Sequence, residues 1–171
     1  NRNMNRLPCI GLAVMLTGIC GSGCKTTGRQ PKSAESAAKT ESRVVRTTAY
    51  THTERDHIRY RRKNAIGTTL KYGDLRSAAA DWSIYPVGTK FKIKGEPHLY
   101  VIEDYGSALV GRNTIDLYKP TRGSMRAWGT RHVDIDVLEW GSYERSLHIL
   151  KPRTRYSHVR AMVNKLREKT G

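Results

Sequence analysis

From Val44 onward the chain is a series of short apolar stretches whose spacing is that of strands. "VVRTTAYT" is β-branched and aromatic, and "TKFKIKG" alternates, with Phe91 and Ile93 on one side and lysines on the other. That period of two marks a half-buried strand. "HLYVIED", "TIDLY" and "RHVDIDVLEW" follow, broken by "GEP", "YGSALVG" and "KPTRG". In the last stretch Val133, Ile135 and Val137 share one face, which leaves Asp134 and Asp136 on a solvated one. Two segments have helical spacing instead. "TRGSMRAWG" sets Met125 and Trp128 three apart and ends at Gly129, which predicts one short helix between Pro120 and that glycine. "RYSHVRAMVNKLREKTG" places Val159, Met162, Val163 and Leu166 on one stripe, so it predicts a basic amphipathic helix. Such a helix docks on the strands or lies against an anionic surface. Short strands with few helices predict an all-β fold, a compact barrel over residues 44–141 followed by a basic extension over 142–171.

The segment before Val44 differs in kind. Arg2 and Arg6 precede an apolar run from Leu7 to Cys20, and small residues follow. Such a run suits the core of an export signal and is shorter than the ~20 residues of a spanning helix. Met4 is the expected start. "GSGC" resembles a bacterial lipoprotein cleavage box with Cys24 as the acylated residue, although Gly21 stands where an aliphatic residue is usual. An ordinary cleaved signal over residues 1–24 is the alternative, and both readings export the chain. All three cysteines (Cys9, Cys20 and Cys24) lie here, so a processed chain has no disulfide framework. Residues 25–43, "KTTGRQPKSAESAAKTESR", are polar, small and aperiodic, which predicts a flexible tether.

Charge narrows the partners. Thirty-one Lys and Arg against fifteen Asp and Glu give a formal net charge of +16, which favours anionic polymers or acidic lipid. Nucleic acid would fit the sign and the run "RYRRK". Export argues against it, and no RNA-binding aromatic signature or DNA-reading helix is present. His52, Asp56 and His57 form a loose cluster and the other histidines are scattered. No metal and no cofactor are expected.

The candidate chemistry lies in three aspartates. Asp81 follows an alanine run and has the position of a turn or cap residue. Asp104 ends one apolar stretch and Asp116 sits inside another, where an unpartnered carboxylate costs several kcal/mol. Between them lies a loop of small residues, Gly106, Ser107 and Ala108, that lets a ligand approach the backbone closely.

"AADWSIYPVGTKFKI", "EDYGSALVG", "TIDLY" and "AWGTRHVDIDVL" resemble, in order, the successive motifs of the bacterial 3D domain, named for its three aspartates. "TTAYT", with Tyr50, looks like that family's opening strand. The family includes a domain of membrane-bound lytic transglycosylase A and small stand-alone muralytic proteins. The resemblance implies a six-stranded double-psi β-barrel that cleaves peptidoglycan glycan strands. The N-terminal segment is expected to export the chain and anchor it to a membrane through lipid on Cys24, and a monomer is expected. The resemblance carries the catalytic role to Asp116, with Asp104 beside it, and substrate contacts to Asp81, Tyr50, Gly106, Ser107 and Ala108. The loop departs from the family: Ser107 replaces a glycine, Val110 replaces a lysine, and one residue is added. The transglycosylase's second domain, the other wall of its groove, has no counterpart, so the stand-alone type is the nearer likeness. Burial among Ile115, Leu117 and Tyr118 is expected to keep Asp116 protonated, helped by an ionised Asp104, which alternatively holds a substrate hydroxyl. A module that binds wall glycan without cutting it is the rival reading.

Overall fold

The computed structural model describes residues 40–55 and 57–171. The export signal, Cys24, most of the tether and Asp56 lie outside the described residues. Six strands appear in chain order: β1 (Glu41–Tyr50), β2 (Leu75–Ala79), β3 (Lys90–Ile93), β4 (Leu99–Asp104), β5 (Thr114–Tyr118) and β6 (Arg131–Glu139). They close on themselves in the order β1-β5-β2-β4-β3-β6. The β1–β5 and β2–β4 pairs are parallel and the other four are antiparallel. The closure is irregular, with register shifts at Ala78/Ala79 and at Lys90/Phe91.

The expected alternation holds on β3 and β6. Phe91 and Ile93 are buried, as are Ile135 and Val137, while Asp134 faces solvent. Phe91 stacks on Tyr100 of β4 with centroids 5.3 Å apart, and Trp82 and Tyr85 fill the interior from the turn after β2. β2 itself, "LRSAA", lacks the bulky residues that advertise a strand. It is the strand held between β4 and β5, and Ser77, Ala78 and Ala79 are buried there.

Three helices complete the fold: α1 (Arg122–Trp128), α2 (Tyr143–Leu150) and α3 (Ser157–Thr170). α1 is the short helix expected before Gly129. Its N-terminus carries a reciprocal cap between Thr121 and Ser124, and Gly129 ends it at φ +63°. α3 takes the packed alternative. Val159, Met162, Val163 and Leu166 are buried in the same core as the strands, and Lys169 Nζ donates to the Ser83 carbonyl at 2.7 Å. α2 is an addition to the sequence reading. Its eight residues are half polar, and only Ser142, whose hydroxyl accepts from Arg145 N–H at 3.0 Å, signals its start.

The β6–α2 corner is tight. A side chain at Gly141 would place Cβ 2.3 Å from the Val87 carbonyl oxygen and 2.5 Å from that of Pro86, both backbone atoms that cannot swing aside. Gly73 has nothing within 4 Å of the same position and no left-handed φ. Gly141→Ala should therefore cost roughly 2–3 kcal/mol through forced backbone shifts, while Gly73→Ala should be neutral or slightly stabilising. Urea-unfolding midpoints of the two variants test this, and equal midpoints would disprove the close approach.

Candidate active site

The site is assembled by β2 and its two neighbours. Ala79 pairs with Asp104 of β4 on one side and with Asp116 of β5 on the other. Adjacent strands lie about 4.8 Å apart, so the two aspartate Cα atoms are about 10 Å apart across a single alanine. The register shift is what aligns them. Ala78 pairs with Ile102 and Ala79 with Asp104, so Glu103 is the extra residue of a bulge, the device that re-aims a strand side chain. Without it, Asp104 would fall out of phase with Asp116.

The two carboxyls have different surroundings. Asp104 is only 6% exposed. Its Oδ1 accepts the Tyr105 N–H at 2.9 Å and its Oδ2 accepts the Tyr50 phenol at 3.3 Å. Burial pushes its carboxyl up to about 7; the hydrogen bonds from Tyr105, Tyr50 and Ala65 oppose this, and the Glu103 charge adds to it. Asp116 lies on β5 between the buried Ile115 and Leu117 and is itself partly exposed. The Thr48 hydroxyl, its partner in the β1–β5 register, donates to Asp116 Oδ1 at 2.7 Å. Tyr50 is raised well above the usual phenol range by burial and then by the charges of Asp104 and Asp116. It therefore stays a proton donor facing both carboxyls.

Two expectations need correction. Asp104 was expected as the ionised partner. It is instead the carboxyl that burial holds half-protonated near neutral pH, because desolvation outweighs its hydrogen bonds. Asp81 was expected among the substrate contacts. It is fully buried, with Oδ1 accepting the Ser83 N–H at 2.8 Å and the Ser83 hydroxyl at 2.6 Å, and Oδ2 accepting the Gly111 N–H at 2.7 Å. Its role is the turn role: it ties the turn after β2 to the loop after β4. That loop does carry Ser107 and Ala108 exposed on a 3-10 turn that begins at Ser107, two residues beyond Tyr105, with Gly106 as its cap. His52 and His57 are engaged with aromatic rings. His52 Nδ1 is 2.9 Å from the Tyr118 hydroxyl, and His57 packs 5.6 Å from the Tyr50 ring. No cluster of three or more His, Cys, Asp or Glu poised for a metal occurs among the described residues.

Residues absent from the sequence reading complete the surround. Glu103, buried at 3% exposure, accepts from Asn64 Nδ2 at 2.8 Å and from the Ser77 hydroxyl at 2.5 Å, and pairs with Lys71 Nζ. Leu70, from the same loop as Lys71, joins Tyr50, Ala79, Leu109 and Tyr118 in a small apolar cluster beside Asp104. The one available signal for Glu103 was a second carboxylate adjoining Asp104 in an apolar stretch. Asn64 and Lys71 gave none, lying in a loop whose polarity reads as solvated.

Residues 76–139 match the sequence family described as 3D domain. That span, rather more than a third of the chain, is similar to a 3D domain. Asp81, Asp104 and Asp116 all fall within the matched span. Among solved structures, a variant of the E. coli lytic transglycosylase MltA in an apo form is similar at 25% identity and a TM-score of 0.37, over 47% of this chain and 28% of that one. No curated protein sequence matches. The matched span thus runs from β2 to β6, and β1, which brings Thr48 and Tyr50 to the two carboxyls, precedes it.

The raised Asp104 carboxyl has a stability consequence whose sign is fixed. Its folded value, about 7, lies above its ordinary 3.8, so the native state binds more protons between those values. Stability then falls as pH rises from about 4 to 7 and levels off above, by at most about 4 kcal/mol at ~1.4 kcal/mol per pH unit. Asp104→Asn removes that loss, so its stability should decline less than the wild type's between pH 5 and pH 8. Chemical denaturation at both pH values checks this; parallel declines would exclude Asp104 as the group responsible.

Proposed function

We propose that the protein cleaves the glycan strands of peptidoglycan as a lytic transglycosylase, with Asp116 as its acid. The observation that carries this reading is the pair of carboxyls registered on Ala79 within the span similar to a 3D domain, one buried and one open to solvent. A hydrolase needs two carboxyl groups, one as acid and one as nucleophile or base. A transglycosylase needs one acid, because the substrate supplies the nucleophile. Asp116 donates its proton to the glycosidic oxygen as the bond from C1 of N-acetylmuramic acid breaks. The carboxylate left behind then takes the proton of that sugar's 6-hydroxyl, whose oxygen closes on C1 to form a 1,6-anhydro ring. The acid is regenerated and no water is consumed. Intramolecular attack supplies much of the proximity advantage.

Geometry divides the labour. Thr48 orients Asp116, and Asp116 is the accessible carboxyl. Asp104 is buried, accepts a hydrogen bond from the Tyr50 phenol and, with its carboxyl pushed up to about 7, carries only part of a charge near neutral pH. The turn that exposes Ser107 and Ala108 would meet an N-acetyl or hydroxyl group of the substrate. The closed six-stranded sheet with parallel β1–β5 and β2–β4 pairs supports a double-psi reading of the barrel. The apolar run from Leu7 to Cys20 and the "GSGC" sequence support export with a lipid anchor on Cys24. Binding of wall glycan without cleavage is a second reading, favoured by the altered loop, where Ser107 and Val110 replace the family's glycine and lysine.

Incubation with purified peptidoglycan and mass spectrometry of the released fragments separates these readings. Wild type should release anhydro-ended muropeptides, and Asp116→Asn should lower the rate by at least about a hundredfold, the usual scale of a lost general acid, with folding retained. Fragments with reducing ends would mean hydrolysis. Retention on the wall with no release would mean a binding module.

A further inference from the structure

Past the C-terminal ends of β1 and β5 is a basic recess that the cleavage chemistry does not use. It has a volume of about 460 Å³ and is lined by Glu54, Arg55, Arg122, Met125 and Arg126. Its position follows from the topology. β1 and β5 are parallel neighbours that end together at Tyr50 and Tyr118. Glu54 and Arg55 lie in the loop that leaves β1, and the three α1 residues lie on the helix that follows β5. Asp116 stands two residues before the end of β5, roughly 7 Å along the strand. Asp116 is the middle residue of β5, and the recess lies past the C-terminal end of that same strand.

Helix stability favours Arg126, a cation in the last turn, but does not account for Arg122. Arg122 and Arg126 are four apart on α1, so two like charges share a helix face, a destabilising arrangement. Arg122 also sits in the first turn, where the helix dipole disfavours a cation and where no acidic residue compensates. Among the described residues none of the three arginines has an ion pair within 4.0 Å. Glu54, the acid of the recess, spends its Oε2 on the Thr51 N–H at 3.0 Å. Arg122 is held in place instead by donating to the Thr53 carbonyl at 3.1 Å. A positioned guanidinium with donors to spare is the group that binds carboxylates in bidentate fashion. Local choices that work against the helix and agree on one ligand charge mark a site.

We propose that this recess binds the carboxylates of the stem peptide carried by the glycan, so that the protein selects peptide-bearing strands over bare ones. The proposal rests on the peptidoglycan reading above and deepens it. The stem peptide hangs from the lactyl group of the muramic residue whose bond Asp116 would cut. A glycan lying across Asp116 therefore brings an acidic peptide within reach of the end of β5.

The test uses the full chain and two variants, Arg122→Gln with Arg126→Gln on α1, and Arg55→Gln in the loop, each checked for folding by circular dichroism. The first readout is titration with the tripeptide L-alanyl-γ-D-glutamyl-diaminopimelate. Wild type should bind it in a salt-sensitive way, and the α1 double variant should bind at least about tenfold more weakly. The second readout is cleavage of bare glycan, which should stay within about twofold of wild type in both variants. Equal tripeptide affinity in wild type and variants overturns the proposal, whatever happens to the glycan. Arginine-dependent binding to phosphatidylglycerol vesicles without binding to the tripeptide also overturns it, because the surface then faces a membrane. Arginine-dependent tripeptide binding by a protein that cuts no glycan upholds the recess and removes the cleavage reading. Cleavage of bare glycan without tripeptide binding does the reverse.

Discussion

The site depends on one buried carboxylate that is not itself a candidate for catalysis. Glu103 is the bulged residue of β4, and three groups converge on it: the Asn64 amide, the Ser77 hydroxyl and the Lys71 ammonium. Each partner is tied to the next. Asn64 closes its own turn through Thr68, donating from Nδ2 to the hydroxyl at 2.8 Å and accepting the Thr68 N–H at 2.9 Å. The Ser77 hydroxyl also accepts the Lys71 N–H at 2.7 Å. A charge removed from water this completely is tolerated only with its partners in place, and losing one costs about 3–5 kcal/mol. The whole loop from Asn64 to Lys71 is therefore fixed to β2 and β4. Leu70 is pinned in turn against Tyr50, Tyr118 and Leu109, and the Ala65 N–H reaches Asp104. Asp104 is dry because Glu103 is satisfied.

That dependence explains how two carboxyls a strand apart come to differ. Their sequence settings are alike, since each follows an aliphatic stretch or residue. Their burial differs because Asp104 lies under the loop that Glu103 holds, whereas Asp116 is on β5 with the Thr48 hydroxyl of β1 for company. Desolvation raises the proton affinity of the first, and the second keeps access to solvent. That difference in burial, and not a difference in strand setting, is what separates the two carboxyls. Here the separation is produced by a loop and not by the strands that carry the aspartates.

The parts of this structure that were legible in the sequence are those with one strong period. β3 and β6 alternate cleanly, α3 repeats an apolar stripe over four residues, and α1 is framed by Pro120 and Gly129. β2 was not legible, because a strand squeezed between two others selects small residues and so loses its β-branched signature. α2 was hidden because half of its eight residues are polar. The aspartates were visible as carboxylates in apolar surroundings, but their protonation was not. Which of two carboxyls is dry depends on Asn64, Ser77 and Lys71, residues 26 to 39 positions from Glu103 along the chain. Local pattern carries no trace of a contact at that separation.

The net charge of +16 sets these forces against one another. A strongly cationic protein stabilises carboxylates and should draw the proton from every aspartate it contains. Asp104 nevertheless holds its carboxyl at about 7. The difference is range. Exposed charges are screened within about 8–10 Å in physiological salt, and much of the acid complement is consumed locally, as in the Lys90–Glu139 and Arg43–Glu41 pairs. Desolvation acts at the group itself and no salt screens it. Burial therefore decides the protonation of Asp104. The cations act at the rim, where the attraction of the α1 arginines for an anionic polymer operates before contact. The same closed sheet thus carries a dry carboxyl held by a loop and, past the end of β5, a wet basic edge.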